Sequence, residues 1–74
     1  MYNNATFVDK TQLKNLKKMD DFVKDNMDRF GEEVGQQVRE VITTIIEKGH
    51  YYEGQADVLN MIAEEYNQYK KENR

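Results

Sequence analysis

The residue best suited to do chemistry in this sequence is its single histidine, His50. Glu47 and Glu53 lie three residues away on either side, so either carboxylate is in position to orient the imidazole of a general base. A zinc site needs several converging ligands, and the chain has one histidine and no cysteine. No nucleophile motif accompanies His50. We therefore predict a loop role for His50, with small-ligand binding as the alternative, and we expect neither an enzyme nor a cofactor.

The tyrosines form a second group that is able to recognise another molecule. Four of the five lie in the last third of the chain: Tyr51, Tyr52, Tyr66 and Tyr69. A tyrosine buries a large ring and keeps a polar tip, which suits both a protein core and a binding interface. Both roles remain open from the sequence.

Two other apolar residues, Phe22 and Met61, fall outside the apolar stripes of the helices in which they lie. Apolar side chains outside the packed face of a helix favour a contact surface. The predicted partner-binding residues are therefore Phe22, Tyr51, Tyr52, Met61, Tyr66 and Tyr69.

The element that has to position these residues is the most apolar stretch of the chain, residues 34–46. Its apolar residues are spaced by three and four, as in an amphipathic helix: Val34, Val38, Val41, Ile42, Ile45 and Ile46. Valine, isoleucine and threonine also favour strands, so a strand over residues 38–46 is the alternative. The absence of strict alternation favours the helix, and we expect Gly49 to end it.

The flanking segments have the same periodicity, which predicts an all-α fold of three amphipathic helices near residues 11–30, 32–48 and 55–71. Asp9 or Thr11 suits the N-cap of the first helix. Gly31 either separates the first two helices or kinks one long helix. We expect a flexible or short extended segment over residues 1–10 and a single helical domain over residues 11–74, in a small bundle or open hairpin that associates with itself.

Length and composition limit the classes of function. A chain of 74 residues has a small core, so a second copy or a protein partner is expected to cover its apolar faces, most simply in a homodimer. The net charge of −3 argues against a nucleic-acid-binding surface. The chain has no apolar run that spans a membrane, no signal-peptide core and no cysteine, which predicts a cytoplasmic protein.

A partial resemblance appears from Phe30 onward, in the runs FGEEVGQQV and EKGHYYEGQADVLNMIAEEYNQYKK. They resemble the helix-turn-helix part of ribbon-helix-helix repressors and antitoxins, in which a Gly-x-Tyr turn leads into a helix. The match rests on Gly49, Tyr51, Asp57, Val58 and Leu59. The chain departs from the family in a longer first helix, a longer turn, and a preceding segment, KDNMDRF, that is not a basic strand. The resemblance implies a dimeric DNA-binding protein.

These observations favour a non-enzymatic interaction protein, a small regulator or inhibitor of the kind that phage and mobile elements encode. It would dock a helix face on a protein partner, with tyrosine anchors and with acidic residues that select the partner. The alternatives are a DNA-binding repressor or antitoxin, and a small-ligand-binding oligomer with His50, Tyr51 or Tyr52 at a subunit junction.

Overall fold

The computed structural model describes residues 5–73, which form an all-α fold with a very small sheet. This confirms the predicted fold class, and residues 34–46 are helical. In chain order the elements are β1 (Thr6–Phe7), α1 (Lys10–Asp25), α2 (Met27–Phe30), α3 (Glu32–Lys48), β2 (His50–Tyr51) and α4 (Glu53–Glu72).

Helix α1 begins at a reciprocal cap between Asp9 and Gln12. The backbone amide of Gln12 donates to Oδ1 of Asp9 over 2.8 Å, and the amide of Asp9 donates to Oε1 of Gln12 over 3.1 Å. The cap satisfies two amides of this segment that have no partner within the helix. Asp9, and not Thr11, is therefore the N-cap.

The first predicted helix is divided at Asn26 into α1 and α2. In a continuous helix the backbone amide of Asn26 would donate to the carbonyl of Phe22. Here the Asn26 side chain donates to that carbonyl over 2.9 Å, and the backbone amide bonds to Val23 O over 3.1 Å instead. An asparagine side chain that competes for backbone groups in this way interrupts the helix.

Glycines with positive φ end the next two helices. Gly31 has φ 84° between α2 and α3, and Gly49 has φ 79° after α3, where its amide bonds to Ile45 O over 2.8 Å. Only glycine adopts this conformation readily. Gly31 thus separates two helices, and the prediction for Gly49 is confirmed.

The two short strands join the N-terminal segment to the connection between α3 and α4. They pair antiparallel, with Thr6 opposite Tyr51 and Phe7 opposite His50, and the Val8 amide adds a bond to Gly49 O over 2.9 Å. The third helix was predicted to begin near residue 55, whereas residues 50–51 pair as a strand and α4 begins at Glu53. The part of the predicted N-terminal segment at residues 1–4 lies outside the described residues.

The core lies between α1, α3 and α4. Its buried side chains come from these three helices: Leu16, Phe22, Val23, Val38, Ile42, Ile45 and Ile62. The expectation that Phe22 lies outside the packed surface is wrong, because only 5% of the residue is exposed. Helix α1 packs against both α3 and α4, so its buried sector is wider than a single stripe, and Phe22 lies on the α4 side.

Among the helices of residues 5–73, none combines the length and the apolar character that crossing a bilayer requires.

Candidate protein-binding surface

The aromatic residues predicted to bind a partner do not form one surface: four of them fall into two separate groups, and Tyr51 lies apart from both. The first, which we call the buried aromatic cluster after the buried ring of Phe22, contains Phe22 and the half-buried residues Phe30, Tyr66 and Tyr69. The centroid of the Phe22 ring lies 5.1 Å from those of Tyr66 and Tyr69 and 5.9 Å from that of Phe30. The pairs are tilted or edge-on, the arrangements that aromatic rings prefer. Three of the six predicted partner-binding residues therefore hold α1, α2 and α4 together.

Arg29 closes one side of the buried aromatic cluster. Its guanidinium carbon lies 5.6 Å from the Tyr69 ring centre, and Nη1 and Nη2 donate to the carboxylate of Glu72 over 2.9 and 3.2 Å. Because these hydrogen bonds favour the ionised form, they hold the pKa of Glu72 below its ordinary value. Glu65 Oε1 lies 3.5 Å from the buried Nε of Arg29. Its negative charge is therefore close to the guanidinium, but Nε donates no hydrogen bond to it. Arg29 thus ties α2 to the C-terminal half of α4.

The second group, the Phe7 patch, contains Phe7, His50 and Tyr52 and lies at the surface. Phe7 is 78% exposed and Tyr52 is 42% exposed. The His50 ring lies between them, 5.9 Å from Phe7 and 5.4 Å from Tyr52. Strand pairing fixes Phe7 and His50, and the Tyr52 amide bonds to Gln55 Oε1 over 2.9 Å at the start of α4. The patch is therefore an exposed apolar surface on fixed backbone.

Sequence reasoning missed Phe7 as a surface residue, although one signal was available. Successive side chains of an extended segment point to opposite sides. Val8 is the residue that lies against the core, so Phe7 has to face away from it. Once Val8 is assigned to the core, the exposure of Phe7 follows.

The same alternation separates Tyr51 from its neighbours. His50 and Tyr52 face the patch, whereas Tyr51 is half-buried and lines a cleft of about 140 Å³ between β2, α1 and α4. The other lining residues are Val8, Gln12, Asn15, Leu16, Met19 and Leu59. The small-ligand alternative named His50, Tyr51 or Tyr52, and the structure brings His50 and Tyr52 together while Tyr51 lines the cleft.

Met61 is exposed, as predicted, at 39%. It lies roughly 14 Å along α4 from Tyr52 and on the opposite side of that helix. It is therefore separate from the Phe7 patch.

His50 contacts aromatic rings and not the carboxylates that flank it in sequence. Within residues 5–73 no ion pair joins it to Glu47 or Glu53, and no three acidic or histidine side chains are grouped to hold a metal ion.

Comparisons with protein-family models, curated proteins and solved structures found no match to this chain. Residues 24–30, which precede the region that resembles ribbon-helix-helix proteins, belong to α1, its terminal turn and α2, and β1 pairs within its own chain.

Proposed function

We propose that this chain is a non-enzymatic interaction protein, a small regulator or inhibitor that binds a protein partner through the Phe7 patch. The observation that carries the proposal is the 78% exposure of Phe7 beside two further rings. Scattered single apolar residues on a surface are ordinary, but three adjacent rings form a contiguous apolar area.

The patch has the properties of a binding anchor. Full burial of a phenylalanine side chain contributes roughly 1.5–3 kcal/mol. The His50 ring lies beside both Phe7 and Tyr52, and strand pairing and the start of α4 hold the backbone that carries the three rings. Aromatic anchors that become buried on binding supply most of the affinity at many interfaces.

The charges around the patch indicate the chemistry of the partner. The exposed ionised residues next to it in sequence are three acidic and two basic: Asp9, Lys10, Glu47, Lys48 and Glu53. The whole chain carries a net charge of −3. Both facts favour a partner with an apolar pocket inside a basic surface, toward which long-range attraction steers the chain.

This proposal moves docking away from the helix face that the sequence favoured. The anchors expected on that face, Phe22, Tyr66 and Tyr69, are packed against one another. Met61 is exposed but lies on the opposite side of α4 from Tyr52. The end of the molecule that bears the strands is therefore the better supported surface.

Affinity capture with two matched variants tests the proposal. Phe7→Ser removes the anchor, and Met61→Ser removes an exposed apolar residue elsewhere. We expect a stoichiometric partner protein to be retained by the wild type and by Met61→Ser and lost with Phe7→Ser. Retention by Phe7→Ser together with loss in Met61→Ser would contradict the proposal and return docking to the α4 face.

DNA binding is the second candidate, because residues 10–19 contain four exposed lysines and no acidic residue: Lys10, Lys14, Lys17 and Lys18. Fluorescence anisotropy with duplex DNA, repeated over a range of salt concentrations, tests it. Affinity that falls steeply with salt and falls again in Lys14→Glu/Lys18→Glu supports this candidate, since phosphate contacts release counterions. The absence of binding at low salt eliminates it.

A further inference from the structure

Most of the lysines of α1 precede its aspartates in the sequence. Lys10, Lys14, Lys17 and Lys18 lie in its first nine residues, its first turn has no acidic residue after the Asp9 N-cap, and Lys24 lies in its last turn. Asp21 and Asp25 lie in its second half. The helix dipole acts mainly on the first and last turns, where Asp9 and Lys24 match it and Lys10 and Asp25 oppose it. The separation of lysines from aspartates along α1 is therefore a feature of its exposed surface.

Like charges are also neighbours along one side of α1. Lys14 and Lys18 are separated by four residues, as are Asp21 and Asp25, and like-charged pairs at this spacing repel. These four residues are exposed and fall within about a sixth of the circumference of the helix. Within residues 5–73 the ion pairs involve Arg29 with Glu65 and Glu72, and Arg39 with Asp20. None of the four takes part.

The same side of α1 borders a shallow groove, which we call the α1 groove, of about 330 Å³. Lys18, Asp21, Asp25 and Asn26 line it together with Phe22, Tyr66 and Tyr69 of the buried aromatic cluster. Lys70 already lies with its Nζ 4.9 Å from the Tyr66 ring centre, so this aromatic surface accepts a cation. The α1 groove thus offers carboxylates beside rings to a basic side chain.

We propose that a second copy of this chain binds antiparallel along the α1 groove, with Lys14 and Lys18 of each copy opposite Asp25 and Asp21 of the other. The two lysines and the two aspartates have the same spacing, about 6 Å along the helix axis. An antiparallel arrangement therefore aligns both pairs at once. The two-fold symmetry repeats them, which gives four ion pairs.

A second copy fits this surface because α1 itself carries both the two lysines and the two aspartates that would pair. Antiparallel α1 helices also bring each positive helix end near a negative one. The aliphatic parts of the lysine side chains cover the ring edges in the α1 groove. This inference does not rest on the proposed function, since the Phe7 patch lies elsewhere.

Two charge-reversed variants test the pairing. Lys14→Glu/Lys18→Glu makes the four positions all acidic, and Asp21→Lys/Asp25→Lys makes them all basic. All four positions are exposed, so loss of folding is not expected, and circular dichroism checks this. The control is Lys17→Glu/Lys24→Glu. It changes the net charge by the same amount as Lys14→Glu/Lys18→Glu, but at two exposed positions of α1 outside the proposed contact.

Sedimentation equilibrium then gives the mass of each variant alone and of a one-to-one mixture. We expect dimers of the wild type and the control that weaken with salt, and association on the order of a hundredfold weaker or more for each reversed variant. The mixture is expected to dimerise again, because all four facing pairs are then opposite in charge.

Three results would overturn the proposal: a wild type that stays monomeric up to about 1 mM, a dimer that survives either reversal, or a mixture that fails to associate. Phe7→Ser is expected to leave this dimer unchanged, so the dimer and the Phe7 patch fail or succeed independently.

Discussion

The buried aromatic cluster and the Phe7 patch are built from similar ring contacts and differ in what covers them. Centroid distances are 5.1–5.9 Å in the cluster and 5.4–5.9 Å in the patch. Helices surround the cluster, and the Arg29 side chain closes one side of it. Two-residue strands and the first turn of a helix support the patch and leave it open. Ring contacts alone therefore do not distinguish rings packed within the fold from rings that are available to a partner, whereas exposure does.

This difference predicts that substitutions in the two groups separate stability from binding. Changes in and around the cluster are expected to reduce the free energy of unfolding. Changes in the patch are expected to leave it unaltered. The following substitutions test the comparison in decreasing order of effect.

The largest effect is expected for Ile42→Asp, in the core that the buried aromatic cluster adjoins. Ile42 is fully buried, so the substitution places a charge among apolar side chains with no partner. We expect destabilisation of roughly 4 kcal/mol or more, enough to unfold a small domain. Circular dichroism measures this directly, with Thr43→Asp on the exposed side of α3 as control. A cooperative melt near that of the wild type would show that α3 does not pack as described.

Phe22→Ser is expected to have the next largest effect. It removes the ring that contacts Phe30, Tyr66 and Tyr69 and leaves a cavity, at a cost of about 3–5 kcal/mol. Urea denaturation at several protein concentrations measures the loss. A stability that stays within about 0.5 kcal/mol of the wild type would mean that Phe22 is a surface residue after all.

Glu72→Gln is expected to have a smaller effect that depends on pH. The pKa of Glu72 is below its ordinary value of 4.5 in the folded protein because Arg29 donates hydrogen bonds to the ionised carboxylate. Its contribution to stability is therefore complete above about pH 4.5 and is lost as the pH falls through the lowered value. We expect the Tm difference between wild type and variant at pH 7 to vanish in acid. A difference that persists after protonation would exclude the ion pair as its cause.

Phe7→Ser is expected to have the smallest effect on stability, within about 0.5 kcal/mol, because the side chain is mostly exposed. Thermal melts of the wild type and the variant measure it. A loss comparable to that of Phe22→Ser would mean that the patch supports the fold, and the distinction between the two groups would fail.

The features that were predictable from sequence are those that neighbouring residues determine. The Asp9 cap and the helix end at Gly49 each depend on contacts within a few residues. The burial of Phe22 depends on α4, a second neighbour of α1 that a helical wheel does not include. The Arg29–Glu72 pair joins residues 43 positions apart. The Phe7 patch depends on the pairing of β1 with β2, two strands that are separated in sequence by α1, α2 and α3.

That strand pairing has a consequence for the order of events during synthesis. Phe7 leaves the ribosome early, but His50 and Tyr52 follow only after α1, α2 and α3 have been made. Closing so long a loop is a late step, because its entropy cost precedes the contacts that compensate it. A partner that requires all three rings therefore recognises only chains that have been translated past the start of α4 and have folded, and it ignores nascent fragments.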